Sequence, residues 1–61
     1  MSLKKDDRIK TAKDFMIGGE VVWAGTGGVI TGRNLSFFTV LLDSGEDVLL
    51  EAEYLKSEAD A

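Results

Sequence analysis

FFTVLLDSGEDVLL, residues 37–50, decides the fold, because two runs of β-forming side chains flank a short polar stretch that contains a glycine. This pattern is typical of a β-hairpin. A loop of two residues, 44–45, would place Leu42 opposite Asp47 and would mix apolar and acidic side chains on one face. A two-residue loop therefore pairs the two strands poorly.

A three-residue loop gives a consistent hairpin. If residues 43–45 form a type I turn with Gly45 in the left-handed bulge position, Val40 faces Val48. One face of the hairpin then carries only apolar side chains: Phe38, Val40, Leu42, Val48 and Leu50. Because a slip of one residue exchanges the two faces of a strand, we predict this register.

The opposite face of the same hairpin keeps large apolar side chains beside acidic ones. Its members are Phe37, Thr39, Leu41, Asp47, Leu49 and Glu51. An exposed apolar patch with an acidic rim is typical of an interface. We therefore expect Phe37, Leu41 and Leu49 to mediate docking of a protein or homo-oligomerisation. The alternative is that the N-terminal segment or the C-terminal tail covers this face.

Before the hairpin lie two further β runs, EVVWAG (20–25) and GGVIT (27–31). Together with the two strands of the hairpin they predict four short strands from Glu20 onward. Residues 2–17 allow two interpretations: a first strand, DRIKTA, followed by an irregular excursion, or an amphipathic helix. The helix would place one apolar stripe on one side: Ile9, Ala12 and Met16. We favour the strand, and the helix stays open.

The glycine-rich segment GTGGVITGRN, residues 25–34, can be compared with the motifs of phosphate-binding loops. The dinucleotide fingerprint fails because Ile30 occupies its third glycine position. A phosphate loop fails because Arg33 and Asn34 stand where lysine and serine or threonine are required, and no helix-forming run follows. We interpret these glycines as sites of bending and of close backbone approach.

Composition narrows the function further. The 61 residues include no cysteine and no histidine, which excludes thiolate and histidine chemistry and the usual zinc and iron sites. We predict one domain over residues 1–61, with frayed ends at 1–4 and 57–61. We assign no catalytic residue, cofactor, metal ligand or small-molecule substrate, and we expect a non-enzymatic protein. The N-terminus lacks a signal segment and no apolar run could span a membrane, so we expect a cytoplasmic protein.

The charges are unevenly distributed around a net charge of −4. Residues 1–13 carry five Lys or Arg against two Asp, whereas residues 43–61 carry seven acids against one lysine. Nucleic-acid binding is the alternative function, and it would depend on six basic residues: Lys4, Lys5, Arg8, Lys10, Lys13 and Arg33. The acidic C-terminal half makes it the less favoured hypothesis.

The aromatic residues add two candidate contacts. Trp23 is either a core plug beneath a loop, which we favour, or an exposed anchor for a partner. Tyr54 could join Trp23 and Phe37 in an aromatic groove near Asp43 and Asp47 that would hold a cationic side chain. The acid pair Glu51 and Glu53 is expected to be a solvated edge.

Four motifs resemble those of the small SH3-like barrels of bacteria and chloroplasts: KDDRI (5–9), GTGGVI (25–30), FTVLLDSGEDVLL (38–50) and EYL (53–55). The chain looks most similar to the electron-transport accessory group, which includes the photosystem I subunit that helps ferredoxin dock and the variable chain of ferredoxin–thioredoxin reductase. The resemblance implies a barrel without a cofactor that docks or stabilises another protein. KOW-type barrels share the outline. The motifs of peptide-binding eukaryotic SH3 domains are missing, so proline-rich peptides are not implied.

The sequence therefore predicts an all-β, SH3-like barrel of about five strands that acts as a non-catalytic binding or accessory module. A protein partner or a second copy is the expected ligand. The predicted interface residues are Trp23, Phe37, Leu41, Leu49 and Tyr54.

Overall fold

The computed structural model describes residues 3–58 and is all-β, with seven strands in two antiparallel sheets. The strands are β1 (Arg8–Thr11), β2 (Phe15–Ile17), β3 (Glu20–Val22), β4 (Gly27–Asn34), β5 (Phe37–Leu42), β6 (Asp47–Glu51) and β7 (Leu55–Ser57). A 3₁₀ turn, Ala52–Tyr54, precedes β7. None of the described residues belongs to a helix long and apolar enough to cross a membrane.

Five of the strands form one sheet in the order β6-β5-β4-β1-β7, and β2 and β3 form a separate hairpin. Strand β4 is the longest, because it pairs with β1 at its start and with β5 along its length. Its register against β5 shifts between Ile30 and Gly32, so Thr31 is the extra residue of a β-bulge. A bulge bends the strand that contains it.

The predicted register of the β5–β6 hairpin is confirmed. Val40 pairs with Val48, and Phe38 pairs with Leu50. Gly45 has a φ of 98°, and its N–H donates to the carbonyl oxygen of Leu42 at 2.8 Å. The predicted inner face supplies more than half of the core, whose buried apolar members are Ile9, Val22, Ile30, Phe38, Val40, Leu42, Val48, Leu50 and Leu55.

The N-terminal segment forms the predicted first strand, and the helical alternative is wrong. Ile9 is fully buried in β1, whereas Met16 is 66% exposed on β2, so these residues share no apolar stripe. We expected an irregular excursion after the first strand. The chain forms the β2–β3 hairpin there instead. Gly18 and Gly19 form its two-residue turn, both with positive φ, which is the backbone of a type I′ turn.

The glycine-rich segment lies mainly in β4 and allows close backbone approach. A Cβ atom at Gly28 would lie 2.9 Å from the carbonyl oxygen of Leu41 on the neighbouring strand. Of the ends that we expected to fray, residues 1, 2 and 59–61 lie outside the described part of the chain. Ser57 is the last residue of β7 and pairs with Ile9.

Candidate interaction surface

The outer face of the β5–β6 hairpin contains the three apolar residues expected there. Leu41 is 37% exposed and Leu49 is 52% exposed, while Phe37 is half-buried. Leu41 pairs with Asp47, and Phe37 pairs with Glu51, so an acid stands beside each end of the patch. We call Phe37, Leu41 and Leu49 the hairpin face. Its position matches the sequence-based expectation, and its role as an interface stays a prediction.

A groove of about 260 Å³ adjoins the hairpin face. Its lining comes from β2, β5, β6 and the 3₁₀ turn: Phe15, Met16, Ile17, Phe37, Leu49, Leu50, Glu51 and Tyr54. Small-molecule sites usually measure about 300–1,000 Å³ and enclose their ligand. The groove therefore suits one or two side chains of a protein partner better than a metabolite.

The N-terminal segment approaches the hairpin face at this groove. Phe15, Met16 and Ile17 line it opposite Leu49, yet Leu49 keeps about half of its surface exposed and Leu41 more than a third. Within residues 3–58, the N-terminal segment therefore covers this face only in part. The last part of the C-terminal tail, 59–61, lies outside the described residues.

Tyr54 has partners from its own chain. Its ring meets the ring of Phe15 edge to face, with the centroids 5.8 Å apart. The Nζ atom of Lys13 lies 5.1 Å from the Tyr54 ring centroid and 2.6 Å from Glu53 Oε2. The hydrogen bond to Glu53 is the main cause that raises the pKa of Lys13, and the same bond lowers the pKa of Glu53.

The predicted aromatic groove is correct in part. Tyr54 and Phe37 line the same groove, but Trp23 does not. Asp43, which we expected beside the cation, pairs instead with Arg8. The cation above Tyr54 is Lys13 of this chain. Glu51 and Glu53 are both exposed, as expected for a solvated edge, and Glu53 is paired with Lys13.

Trp23 is 66% exposed, so the interpretation as a core plug is wrong. Val22 enters the core instead, and strand alternation turns the next side chain outward. The backbone carbonyl of Trp23 accepts hydrogen bonds from the hydroxyls of Thr11 at 2.9 Å and Thr26 at 2.6 Å. Thr11 is fully buried, so the turn that carries Trp23 is fixed to the core.

The six basic residues of the nucleic-acid hypothesis have different surroundings. Arg8 lies 3.2 Å from Asp43 and 3.5 Å from Glu58, and Lys13 is paired with Glu53. Arg33 lies over the Phe38 ring at 5.5 Å. No ion pair within 4.0 Å involves the other three in the described part of the chain: Lys4, Lys5 and Lys10. Acids of the same chain thus already neutralise two members of the set, and nucleic-acid binding stays a prediction with salt-dependent affinity as its test.

Sequence reasoning missed the β2 side of the groove. The stretch FMIGGEVV contains Gly-Gly between two short apolar runs, which is a hairpin signal, but each strand has only three residues. Three residues are too few to establish a period of two. Between residues 3 and 58, no group of three or more acidic side chains is placed to hold a metal ion.

Comparisons with family models, with curated proteins and with solved structures found no match for this chain. The resemblance to small SH3-like barrels therefore stays a prediction from the four motifs.

Proposed function

We propose that this chain is a non-catalytic protein-interaction module that docks another protein on the hairpin face. The observation that carries the proposal is the exposure of two leucines on adjacent strands: Leu41 is 37% exposed and Leu49 is 52% exposed. Both lie on the outward-facing side of strands whose alternate residues are buried in the core. The two leucines are diagonal neighbours, since Leu49 pairs with Thr39 and Leu41 with Asp47. Long side chains touch across such a diagonal.

Folding leaves the apolar side chains of the hairpin face only partly buried. Full burial of a leucine side chain is worth about 1.5–3 kcal/mol relative to exposure. Leu41 and Leu49 keep a substantial part of their surface in water, and Phe37 is only half-buried. A partner that covers this patch gains the remaining part of that free energy.

The acids at the edge of the patch define the chemistry of the partner. Asp47 and Glu51 are exposed, and neither takes part in an ion pair within 4.0 Å among residues 3–58. A complementary surface therefore has an apolar centre with Lys or Arg beside it. Such a surface gains both from apolar burial and from the acidic rim.

We place this surface on a small SH3-like barrel that works as an accessory subunit in the cytoplasm. The bend at Thr31 supports the barrel, because β4 pairs with β1 before the bulge and continues along β5 after it. The separate β2–β3 hairpin supports it too, since its inner residues pack on the same core. The four sequence motifs support the accessory role.

Photo-crosslinking tests this function directly. A benzophenone amino acid is introduced at Leu49, and a matched variant carries it at Leu35, which is 86% exposed in the β4–β5 turn and does not line the groove. In concentrated extract of the producing cells we expect adducts of one or a few discrete masses from position 49. We expect none from position 35. Equal labelling at both positions, or no adduct at position 49, would contradict the proposed function.

A further inference from the structure

The groove beside the hairpin face follows the edges of two strands from different sheets. Three consecutive residues of β6, 49–51, line it, and so do all three residues of β2, Phe15–Ile17. Neighbouring side chains on a strand point to opposite faces. A groove that touches three in a row therefore lies along the edge of that strand.

The edge of β6 that meets the groove has no partner strand among residues 3–58, because β6 is the last strand of the larger sheet. The N–H of Leu42 donates to the carbonyl oxygen of Glu46 at 2.8 Å, and hydrogen-bonded and non-hydrogen-bonded pairs alternate from there along the ladder. The N–H and C=O groups of Asp47 and Leu49 consequently point away from β5. Within residues 3–58, no backbone hydrogen bond outside the ladders involves either residue.

Strand β2 offers a second open edge to the same groove. Ile17 and Glu20 flank the two-residue turn and form a hydrogen-bonded pair, so Met16, which pairs with Val21, directs its N–H and C=O groups away from β3. Met16 is 66% exposed and lines the groove. In the described part of the chain, the groove is thus bordered by backbone groups without a partner strand on both β6 and β2.

We infer that the partner inserts an extended segment into this groove, where the segment pairs with β6 as an added strand. This inference rests on the proposed function and specifies the part of the partner that is bound. Strand addition to an open sheet edge is a recurring mode of peptide recognition: backbone hydrogen bonds supply affinity, and alternate side chains supply specificity. The five residues of β6, Asp47–Glu51, match a segment of five residues.

The side chains of β6 specify the sequence of that segment. Residues directly opposite each other on neighbouring strands lie on the same face, so the positions opposite Asp47 and Glu51 stand beside exposed carboxylates. Neither acid has an ion-pair partner within 4.0 Å among residues 3–58. The positions opposite Leu49 and Leu50 stand beside apolar side chains of the groove. The complementary segment therefore has a basic residue at each end and apolar residues between them.

The same acids disfavour the pairing of two β6 edges. Antiparallel pairing centred on Leu49 would place Asp47 of one copy opposite Glu51 of the other, and like charges directly opposite each other are destabilising. Charged side chains commonly protect edge strands in this way. The acids thus select a basic segment against the edge strand of the chain itself.

A peptide titration followed by NMR tests the inference. The probe is Lys-Val-Val-Val-Lys with blocked ends, and we expect it to shift the amide resonances of residues 15–17 and 47–51 and to slow hydrogen exchange of the Leu49 amide. Strand pairing uses the N–H groups of every second residue. Two N-methylated probes, one methylated at the central valine and one at the valine before it, should therefore differ at least about tenfold in affinity. Each is the control for the other, and equal affinities would overturn the inference.

A charge reversal in the protein tests the sequence of the segment. Glu51→Lys should weaken binding of the unmodified probe about fivefold, because an attraction becomes a repulsion. The matched control is Glu20→Lys, which changes the net charge equally at an exposed residue of β3 that does not line the groove, and it should leave the affinity unchanged. Circular dichroism establishes that both variants are folded. The same loss in both variants would contradict the assignment of basic residues opposite β6.

A probe that shifts none of the amides of residues 47–51 would overturn the inference, and so would slow exchange of the Leu49 amide in the free chain. Slow exchange that increases with protein concentration would assign the edge to a second copy, and slow exchange independent of concentration would assign it to another segment of the same chain. Adducts from position 49 without probe binding would leave the proposed function standing on the hairpin face alone. The absence of both would remove both.

Discussion

The β5–β6 and β2–β3 hairpins are both antiparallel, but they are held in different ways. The β5–β6 hairpin has five registered pairs within the larger sheet, and its inner face is buried throughout. The β2–β3 hairpin has three pairs in a sheet of its own, and among its residues only Val22 is classed with the buried core. One hairpin therefore builds the core, and the other is packed against it.

This difference assigns the two hairpins different parts in the proposed function. The β5–β6 hairpin combines a fully buried face with an exposed apolar one, so it can present Leu41 and Leu49 on a rigid support. The β2–β3 hairpin forms one wall of the groove through Phe15, Met16 and Ile17. Segments with little buried apolar surface open more easily than the core, so we expect the groove to widen and close by movement of this wall.

The largest expected effect comes from truncating one residue in each hairpin that packs on the core. Leu50→Ala removes a side chain that is 6% exposed, and we expect a loss of about 2–5 kcal/mol in the free energy of unfolding. Ile17→Ala removes a half-buried side chain that packs at the edge of the core, and we expect less than half of that loss. Urea unfolding followed by circular dichroism measures both. Equal losses would show that β2–β3 is an integral part of the core.

A second comparison uses the two glycine turns. Gly45 and Gly19 have φ values of 98° and 84°, and alanine in this region costs about 1–2 kcal/mol. Gly45→Ala should lower the global free energy of unfolding by that amount, because the β5–β6 turn is formed only in the folded chain. Gly19→Ala should mainly increase hydrogen exchange within β2 and β3. A global loss of the same size from Gly19→Ala would contradict the separation of the two hairpins.

In the β4–β5 turn a substitution is expected to stabilise the chain, in contrast to the two glycine turns. Leu35 has a φ of 58° and is 86% exposed, so a leucine occupies a backbone conformation that the other two hairpin turns give to glycine. Leu35→Asn should raise the free energy of unfolding by up to about 1 kcal/mol, because asparagine tolerates the left-handed region. Thermal unfolding measures the change. A decrease would mean that the leucine side chain makes a stabilising contact.

The smallest expected effect is pH-dependent and concerns the ion pair beside the groove. Lys13 lowers the pKa of Glu53 below its ordinary value of 4.5, so the pair stabilises the folded chain above that pH and loses its effect as the pH falls through the lowered pKa. Glu53→Gln should therefore shift the urea midpoint slightly at neutral pH and not at acidic pH. The same shift at both pH values would show that the effect does not come from the charge.

The sequence predicted the β5–β6 hairpin because its alternation runs through five residue pairs and a glycine marks its turn. Strand β1 was also predicted, and the predicted run EVVWAG contains β3, whereas β2 was too short for its alternation to be recognised. The orientation of Trp23 was not predictable from its type, since an aromatic residue enters the core only if strand alternation turns it inward, and here Val22 occupies that position.

The two halves of the candidate site differ in the same way. Leu41 and Leu49 could be placed on the outer face because the inner face was already specified by local alternation. The groove joins Phe15–Ile17 to residues at least 20 positions later, and no local pattern reports such a contact. Only the tertiary structure brings these residues together.

The most direct test of the central claim is sedimentation equilibrium of the natural chain and of Leu41→Lys at two salt concentrations. We expect the natural chain to self-associate equally at both salt concentrations, and Leu41→Lys to sediment as a monomer with an unchanged circular dichroism spectrum. Apolar contact at the hairpin face explains this resistance to salt, because salt screens the interactions between charges and does not remove apolar burial. An unfolded Leu41→Lys would show that the face belongs to the core, and an unchanged mass would show that the interface, if any, lies elsewhere.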